Sequence, residues 1–271
     1  MASIETYIVD SFADEPFKGN PAGVCLLEQE IDDDTMLSIA KELGLSETAF
    51  VKQQSTQKGF SIRYFSPKME IPLCGHATLA ASKILFDRDS SISNIHFVTI
   101  QNLDLIIRKE AEYIRMEFPV YETEYQIAPK ELLEALGIVE LDNSEYNKET
   151  KILLLEINSC KTLNNLKPDF EKLKKSHGSI NGVLVTALSE KPDYDFESRY
   201  FWPRSGTNED PVTGGTHTFL AKYWGEKLNK KKMNSFQCSE RTGFMEVELI
   251  EKHKMTIKGK AQIVLKGELK I

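Results

Sequence analysis

The chain is poor in cysteine. Cys25, Cys74, Cys160 and Cys238 are the only four in 271 residues, widely scattered and without a C-x-x-C pair, which excludes a disulfide frame and fits reduced thiols. The five histidines form no zinc-like spacing with these cysteines or with one another, so spacing calls for no metal. No apolar run approaches the roughly 20 residues that span a bilayer, and the opening MASIETYIVD has neither a basic flank nor an apolar h-region. No membrane partner is expected, and the cytoplasm is the default location. Basic residues are outnumbered, 34 Lys and Arg against 41 Asp and Glu for a formal charge of −7, so the chain lacks the basic face that nucleic acid requires. Neither G-x-G-x-x-G after a strand nor G-x-x-x-x-G-K-[ST] occurs, which removes the common nucleotide motifs.

What is present is ordinary for a globular protein: 41% hydrophobic and 28% charged residues, in a chain long enough for one large domain or two of usual size. The distinctive feature is a repeat. RYFSPKMEIPLCGHATLAAS at 63–82 has a counterpart in RYFWPRSGTNEDPVTGGTHTFLAKYW from Arg199. Each is a strand carrying Arg-Tyr-Phe-x-Pro, then a loop, then a glycine-opened helix of small residues. Gly75, Thr78 and Ala81 align with Gly215, Thr218 and Ala221; moved by one position, His76 aligns with His217 and Leu79 with Leu220. A repeat of half the chain points to duplication of a domain, because solenoids show several copies at about 20–50 residues. Two such helix N-termini facing one cleft would offer unpaired N–H groups and partial positive charge to a carboxylate.

The rest of the chain fits two copies. Strands at 4–9 and 22–27 flank the turn Gly19-Asn20-Pro21, and a helix capped by Asp32 to Asp34 ends at Gly44. Strands follow at 59–65, 92–98, 103–107 and 113–118, and Pro119 with Glu122 to Glu124 marks the linker. In the second half, helices open at Pro129 and Pro168, the segment DNSEYNKET reads as a surface loop, and strands at 152–157, 180–188 and 194–202 precede the second glycine-opened helix. Strands at 236–238, 244–250, 255–257 and 262–271 close the chain. The expected fold is α+β, two pseudo-symmetric domains, each a mixed sheet curled around a central helix. The domains run 1–119, with 263–271 as a candidate completing strand, and 124–262.

Three places could carry chemistry. Glu47, in Leu45-Ser46-Glu47-Thr48, sits on a short connection between a buried helix and a buried strand, where it is either solvated or enclosed. Cys74 at a helix start is either a small buried residue beside a capping histidine or an acid or base of lowered pKa. A two-thiol racemase would need a second cysteine at 214–216, which reads Gly-Gly-Thr. In Asn208 to Gly215, Asp210 or Thr213 could cap the helix, while the paired glycines could admit a ligand to the backbone.

GNPAGV at 19–24, LSETAFV at 45–51, F-x-P-x-x-E at 65–70, CGHATLAA at 74–81 and NEDPVTGGTH at 208–217 together resemble the PhzF family of phenazine-biosynthesis-like proteins, whose wider relatives are diaminopimelate epimerase and proline racemase. The resemblance implies an active site in a cleft between two pseudo-equivalent domains, and an isomerase that needs no cofactor or metal and commonly forms a homodimer. It makes Glu47 the general base and acid, with His76 and Asp210 as assisting catalytic residues. It places Asn20, Ser46, Cys74, Gly75, Thr213, Gly214, Gly215 and Thr216 around a small carboxylate substrate. Many members read EDPVTGS where this chain has Gly215, so a hydroxyl is lost and the family's best-known substrate, dihydro-hydroxyanthranilate, is not assumed. Isomerisation by Glu47 is the expected reaction. A two-base epimerase using Cys74 and a non-catalytic relative that binds a small carboxylate or a protein are the alternatives.

Overall fold

The computed structural model describes residues 3–54, 59–204 and 207–271; Ser205 and Gly206, in the loop of the second repeat, lie outside the described residues. Two compact units emerge, Met1–Glu117 with Thr256–Ile271, and Phe118–Met255. The chain runs through β1 (Ser3–Ser11), β2 (Asn20–Leu27), α1 (Asp33–Leu43), β3 (Thr48–Gln53), β4 (Phe60–Phe65), β5 (Glu70–Ile71), α2 (Gly75–Arg88), β6 (Asn94–Thr99), β7 (Asp104–Glu110) and β8 (Tyr113–Pro119). It continues with β9 (Glu124–Tyr125), α3 (Lys130–Leu136), β10 (Asn143–Asn147), β11 (Ile152–Glu156), α4 (Cys160–Asn165), α5 (Phe170–Ser176), β12 (Gly182–Leu188), β13 (Phe196–Phe201), β14 (Glu209–Asp210) and α6 (His217–Leu228). Last come β15 (Lys232–Gln237), β16 (Gly243–Glu251), β17 (Lys254–Gly259) and β18 (Ala261–Lys270).

The two units repeat one pattern of strand pairing. In the first, β1 lies antiparallel to β2, β2 parallel to β3 and β3 antiparallel to β4. β4 is antiparallel to the short β5 and parallel to β6, and β6 is antiparallel to β7. In the second, β10, β11, β12, β13, β14, β15 and β16 reproduce every step with the same polarity. The outer partner of β1 is β18 and that of β10 is β9, so the C-terminal strand completes the first unit.

Each sheet wraps a helix. Nearly every residue of α2 from His76 to Phe86 is buried, and so are most residues of α6 from His217 to Gly225. A helix buried all round cannot be amphipathic, and small residues such as Ala77, Ala80, Ala81 and Ser82 let strands approach it closely. On the outer side of the first sheet, α1 buries Met36, Ile39 and Ala40 against Cys25, Phe50 and Phe65. In the second, Leu132, Leu163 and Leu173 of α3, α4 and α5 pack on Leu153, Leu155, Val183 and Val185.

The Arg-Tyr-Phe-x-Pro strands explain why that string recurs. Arg63 on β4 donates through Nε and Nη2 to Glu70 at 2.7 and 2.8 Å, and Arg199 on β13 makes the same fork to Glu209 at 2.7 Å for both bonds. Each guanidinium also lies over the phenylalanine two residues on, 5.2 Å from the Phe65 ring centre and 5.0 Å from that of Phe201. The third side of Arg63 reaches Asp33 at the start of α1, whereas Arg199 donates to the carbonyls of Leu163 and Leu166 at the end of α4.

Four details depart from the sequence reading. The segment DNSEYNKET is not a surface loop: it contains β10, with Ser144 and Asn147 buried. Its pairing is supported by side-chain bonds of Asn143 and Asn147 rather than by apolar alternation, so a polar strand passed for a loop. The short α4, capped by Ser159, lies in a segment with too few apolar residues to show periodicity. Helix α5 is capped by Asp169 rather than opened by Pro168, and β15 starts at Lys232, ahead of the strand expected at 236–238.

Because Arg199 is the more buried and also satisfies main-chain carbonyls, Arg199→Ala is expected to cost roughly 3 kcal/mol or more. Arg63→Ala, whose partners are more exposed, should cost only about 1 kcal/mol. Urea unfolding of the two variants checks the order.

Candidate active site

In the first unit two glycines of GNPAGV fix where the site forms. Gly19 has φ +68°, and a Cβ there would lie 2.1 Å from the Ser11 carbonyl oxygen. That turn brings Asn20 opposite Ser11, and the Ser11 hydroxyl donates to the His76 carbonyl at 2.7 Å, tying the end of β1 to the start of α2. At Gly23 a Cβ would come within 2.7 Å of Thr48 Oγ1 and 3.0 Å of Leu43 Cδ1. The Gly23 amide donates to the Glu47 carbonyl at 3.1 Å, so β2 holds the loop bearing Glu47 while the adjoining end of β1 holds the helix start bearing His76. Asn20 itself is buried at the start of β2.

Glu47, Cys74 and His76 converge. Glu47 Oε2 is 3.2 Å from His76 Nε2, and Cys74 Sγ is 3.4 Å from His76 Nδ1. Ser46 Oγ lies 3.4 Å from the same Nε2. The Glu47 side chain is only 16% exposed, so the carboxylate is enclosed rather than solvated. Burial lowers the His76 pKa below its usual value and so favours the neutral ring, opposed in part by the Glu47 carboxylate, which favours the charged one. A neutral ring has one N–H. With Glu47 ionised, Nε2–H donates to it and Nδ1 accepts from the Cys74 thiol. The arrangement is a chain of polar contacts running from thiol through imidazole to carboxylate. Cys74 is the N-cap of α2 and provides no side-chain cap, nor does the His76 ring. The first amides of α2, at Gly75, His76 and Ala77, have no intrahelical acceptors and lie at the positive end of the helix.

The second unit presents a different set at the equivalent place. Asp210 on β14 stands opposite Tyr200, where the first unit has Ile71 opposite Tyr64. The Thr213 hydroxyl donates to the Asp210 carboxylate, and neither side chain caps α6, whose N-cap is Thr216. Gln237, a residue the sequence did not single out, clamps this loop. Its Nε2 donates to the Asp210 carbonyl at 2.7 Å, and its Oε1 accepts from the Thr213 amide at 2.8 Å. Thr216 is buried with its hydroxyl on the Thr213 carbonyl at 2.9 Å, and Gly214 is buried beside it. Gly215 is exposed, and a Cβ built there meets nothing within 4 Å.

His217 is also informative. It is fully buried, with Nδ1 2.9 Å from the Thr213 carbonyl and Nε2 2.7 Å from Ser235 Oγ. A carbonyl only accepts, so Nδ1 bears the proton and Nε2 accepts from the serine. Burial pushes its pKa down to about 4, and the ring serves the loop rather than a substrate. Although it aligns with His76 in the repeat, it has no carboxylate or thiol partner in the described structure.

A sheet-wrapped helix repeated twice, with an enclosed carboxylate beside a buried imidazole and thiol at one helix start, defines an α+β fold of the epimerase-like class. The family model for phenazine biosynthesis-like proteins, PhzC-PhzF, matches residues 9–267, and the chain belongs to that family. It is 40% identical to a Halalkalibacterium halodurans protein named uncharacterized isomerase, over 99% of each chain. The PhzF-family phenazine biosynthesis protein of Enterococcus faecalis superposes with a TM-score of 0.92 at 36% identity, covering 100% of both chains. A hydroxyproline epimerase from Agrobacterium vitis shares the fold at a TM-score of 0.58 and 10% identity, covering 98% of this chain and 92% of that one. Among the described residues no helix is long and apolar enough to cross a membrane.

Two outcomes are expected. Gly215→Ser has room for its side chain and should change stability by no more than about 0.5 kcal/mol in thermal unfolding. For His217, the unfolded chain titrates near the ordinary value of 6.5 and the folded one near 4, so between these values only the unfolded state holds the proton. Its contribution is complete above pH 6.5 and is lost as pH falls toward 4, by up to roughly 3 kcal/mol. His217→Gln should remove that part of the slope of urea-unfolding stability against pH.

Proposed function

We propose that the chain is a cofactor-independent isomerase that moves a proton between two carbons of a small carboxylic acid, with Glu47 as the acid and base. The observation that carries this is the placement of the Glu47 carboxylate, enclosed and 3.2 Å from the buried Nε2 of His76. Glu47 takes a proton from a carbon activated by the substrate carboxylate or by an adjacent double bond. The electron pair of the broken C–H bond moves into that conjugated system and the double bond shifts. Glu47, now a carboxylic acid, returns the proton to another carbon, so no electrons are gained or lost. A neutral His76 donating from Nε2 steadies the carboxylate before and after the transfer. The open amides at the start of α2 suit the negative charge that develops on the intermediate, where a well-placed donor is worth about 3–4 kcal/mol. Asp210, Thr213, Gly214, Gly215 and Thr216 are proposed as the substrate-binding residues of the second unit, with Asp210 as its polar group.

One observation favours a second reading. Cys74 Sγ lies nearest the opposite ring nitrogen of His76 from Glu47, so in an epimerisation one of the two could remove the proton as base while the other returns a proton to the opposite face as acid. The missing second thiol at residues 214–216 favours isomerisation.

The test is incubation in D₂O with a panel of unsaturated and amino carboxylic acids, following deuterium at carbon by NMR. Glu47→Gln should slow exchange by at least about 100-fold. Exchange with no acid would leave a binding protein as the better reading, and full exchange in Glu47→Gln with loss in Cys74→Ala would make the thiol the base.

A further inference from the structure

Among the described residues, Glu47, Cys74 and His76 are the group of His, Cys and carboxylate side chains whose donor atoms gather, all within 4.8 Å of one another. We propose that they form a binding site for one thiophilic divalent cation of the Zn²⁺ class, which on binding occupies the groups needed for proton transfer. The binding stands on geometry alone; the inhibition rests on the proposed role of Glu47.

The distances fit a tetrahedral ion. Bonds of about 2.0–2.3 Å from zinc to nitrogen, oxygen and sulfur place neighbouring donors roughly 3.3–3.6 Å apart. His76 Nε2 lies 3.2 Å from Glu47 Oε2 and 3.9 Å from Cys74 Sγ, so these two edges need shifts of a few tenths of an ångström, while the third, from Glu47 to Cys74, lies within 4.8 Å and closes by side-chain rotation of up to about 1 Å. Three protein ligands leave the fourth position for water or a substrate carboxylate, as in catalytic rather than structural zinc sites.

The donor set selects the ion. Thiolate with imidazole suits Zn²⁺ or Co²⁺ and is poor for Mg²⁺ or Ca²⁺, which take oxygen ligands. Charge also balances. The ion brings two positive charges, the Glu47 carboxylate one negative charge, and Cys74 a second once its thiol proton has left for solvent, so the enclosed cluster is neutral. The backbone under two ligands is fixed independently of the ion, by the Ser11 hydroxyl on the His76 carbonyl and the Gly23 amide on the Glu47 carbonyl. Sequence spacing hides the site because Glu47 is far from Cys74 and His76 in the chain.

The experiment uses the full-length protein, freed of metal by a chelator and then titrated with Co²⁺. The expected result is a thiolate-to-cobalt charge-transfer absorption that saturates at one ion per chain, is displaced by Zn²⁺, and releases one proton per ion. Cys74→Ser should abolish the absorption, and His76→Gln should weaken binding by roughly 100-fold, with circular dichroism confirming that both variants fold. Glu47→Gln, altering the most exposed of the three ligands, is the second variant and should weaken binding while keeping the absorption. Persistence of the absorption in Cys74→Ser, or no saturating absorption in the wild type, overturns the site. Exchange in D₂O is measured separately with chelator present. Cobalt binding with no exchange keeps the site and removes the isomerase reading; Glu47-dependent exchange that saturating Zn²⁺ leaves unchanged overturns the inhibition.

Discussion

The enclosed α2 helix is the constraint on which the first unit depends. A helix buried on all sides can be placed only if its ends are anchored, because its apolar faces offer no preferred rotation. Its start is held by the Ser11 hydroxyl on the His76 carbonyl, and a buried bond of this kind is costly to leave unmade. Ser11 in turn faces Asn20 across a turn that only glycine at position 19 permits. The helix start bearing Cys74 and His76 therefore inherits its placement from a backbone turn more than fifty residues away in the chain.

Duplication supplied the scaffold twice but the carboxylate–imidazole–thiol cluster once. The Arg–Glu forks, the aromatic faces beneath them and every strand pairing recur, because these carry the fold in each unit. The polar residues at the helix starts do not recur. Ile71 corresponds to Asp210, and His76 with its carboxylate and thiol corresponds to a His217 that holds a main-chain carbonyl and a serine. Interactions that stabilise each unit are needed in both, whereas on the proposed function a single reacting centre leaves the second copy of each such position available for another use.

How much of this was legible in the sequence follows from the range of each interaction. The repeat, the capped helices α1 and α3 and the sheet-wrapped helices are local patterns, and Asp32, Gly44 and Gly137 stand at the ends that they mark. The polar strand β10 was hidden because its support comes from side chains such as Asn143 reaching Tyr223, which has no period along the chain. The Glu47–His76–Cys74 cluster is hidden for the same reason. Glu47 was singled out by a motif, but nothing in the spacing says that its carboxylate meets a histidine and a thiol. Gln237 could have been found only as a polar residue in an otherwise strand-like run, a weak signal with many harmless explanations.

Gly215 is where structure adds most to the reading of substrate. A glycine is often kept because the backbone demands it or because a neighbour presses against it, and Gly19 and Gly23 are such cases. Gly215 is neither: its φ lies outside the left-handed region and the space beside it is open. The absence of a side chain there is therefore a choice about what surrounds the loop rather than about how the loop folds. With the Thr213 hydroxyl already on Asp210 and that of Thr216 on a carbonyl, no hydroxyl proton of the loop at Thr213 or Thr216 is left over for a ligand. If Gly215 faces substrate as proposed, the group bound there meets backbone and open space where a serine would offer a hydroxyl.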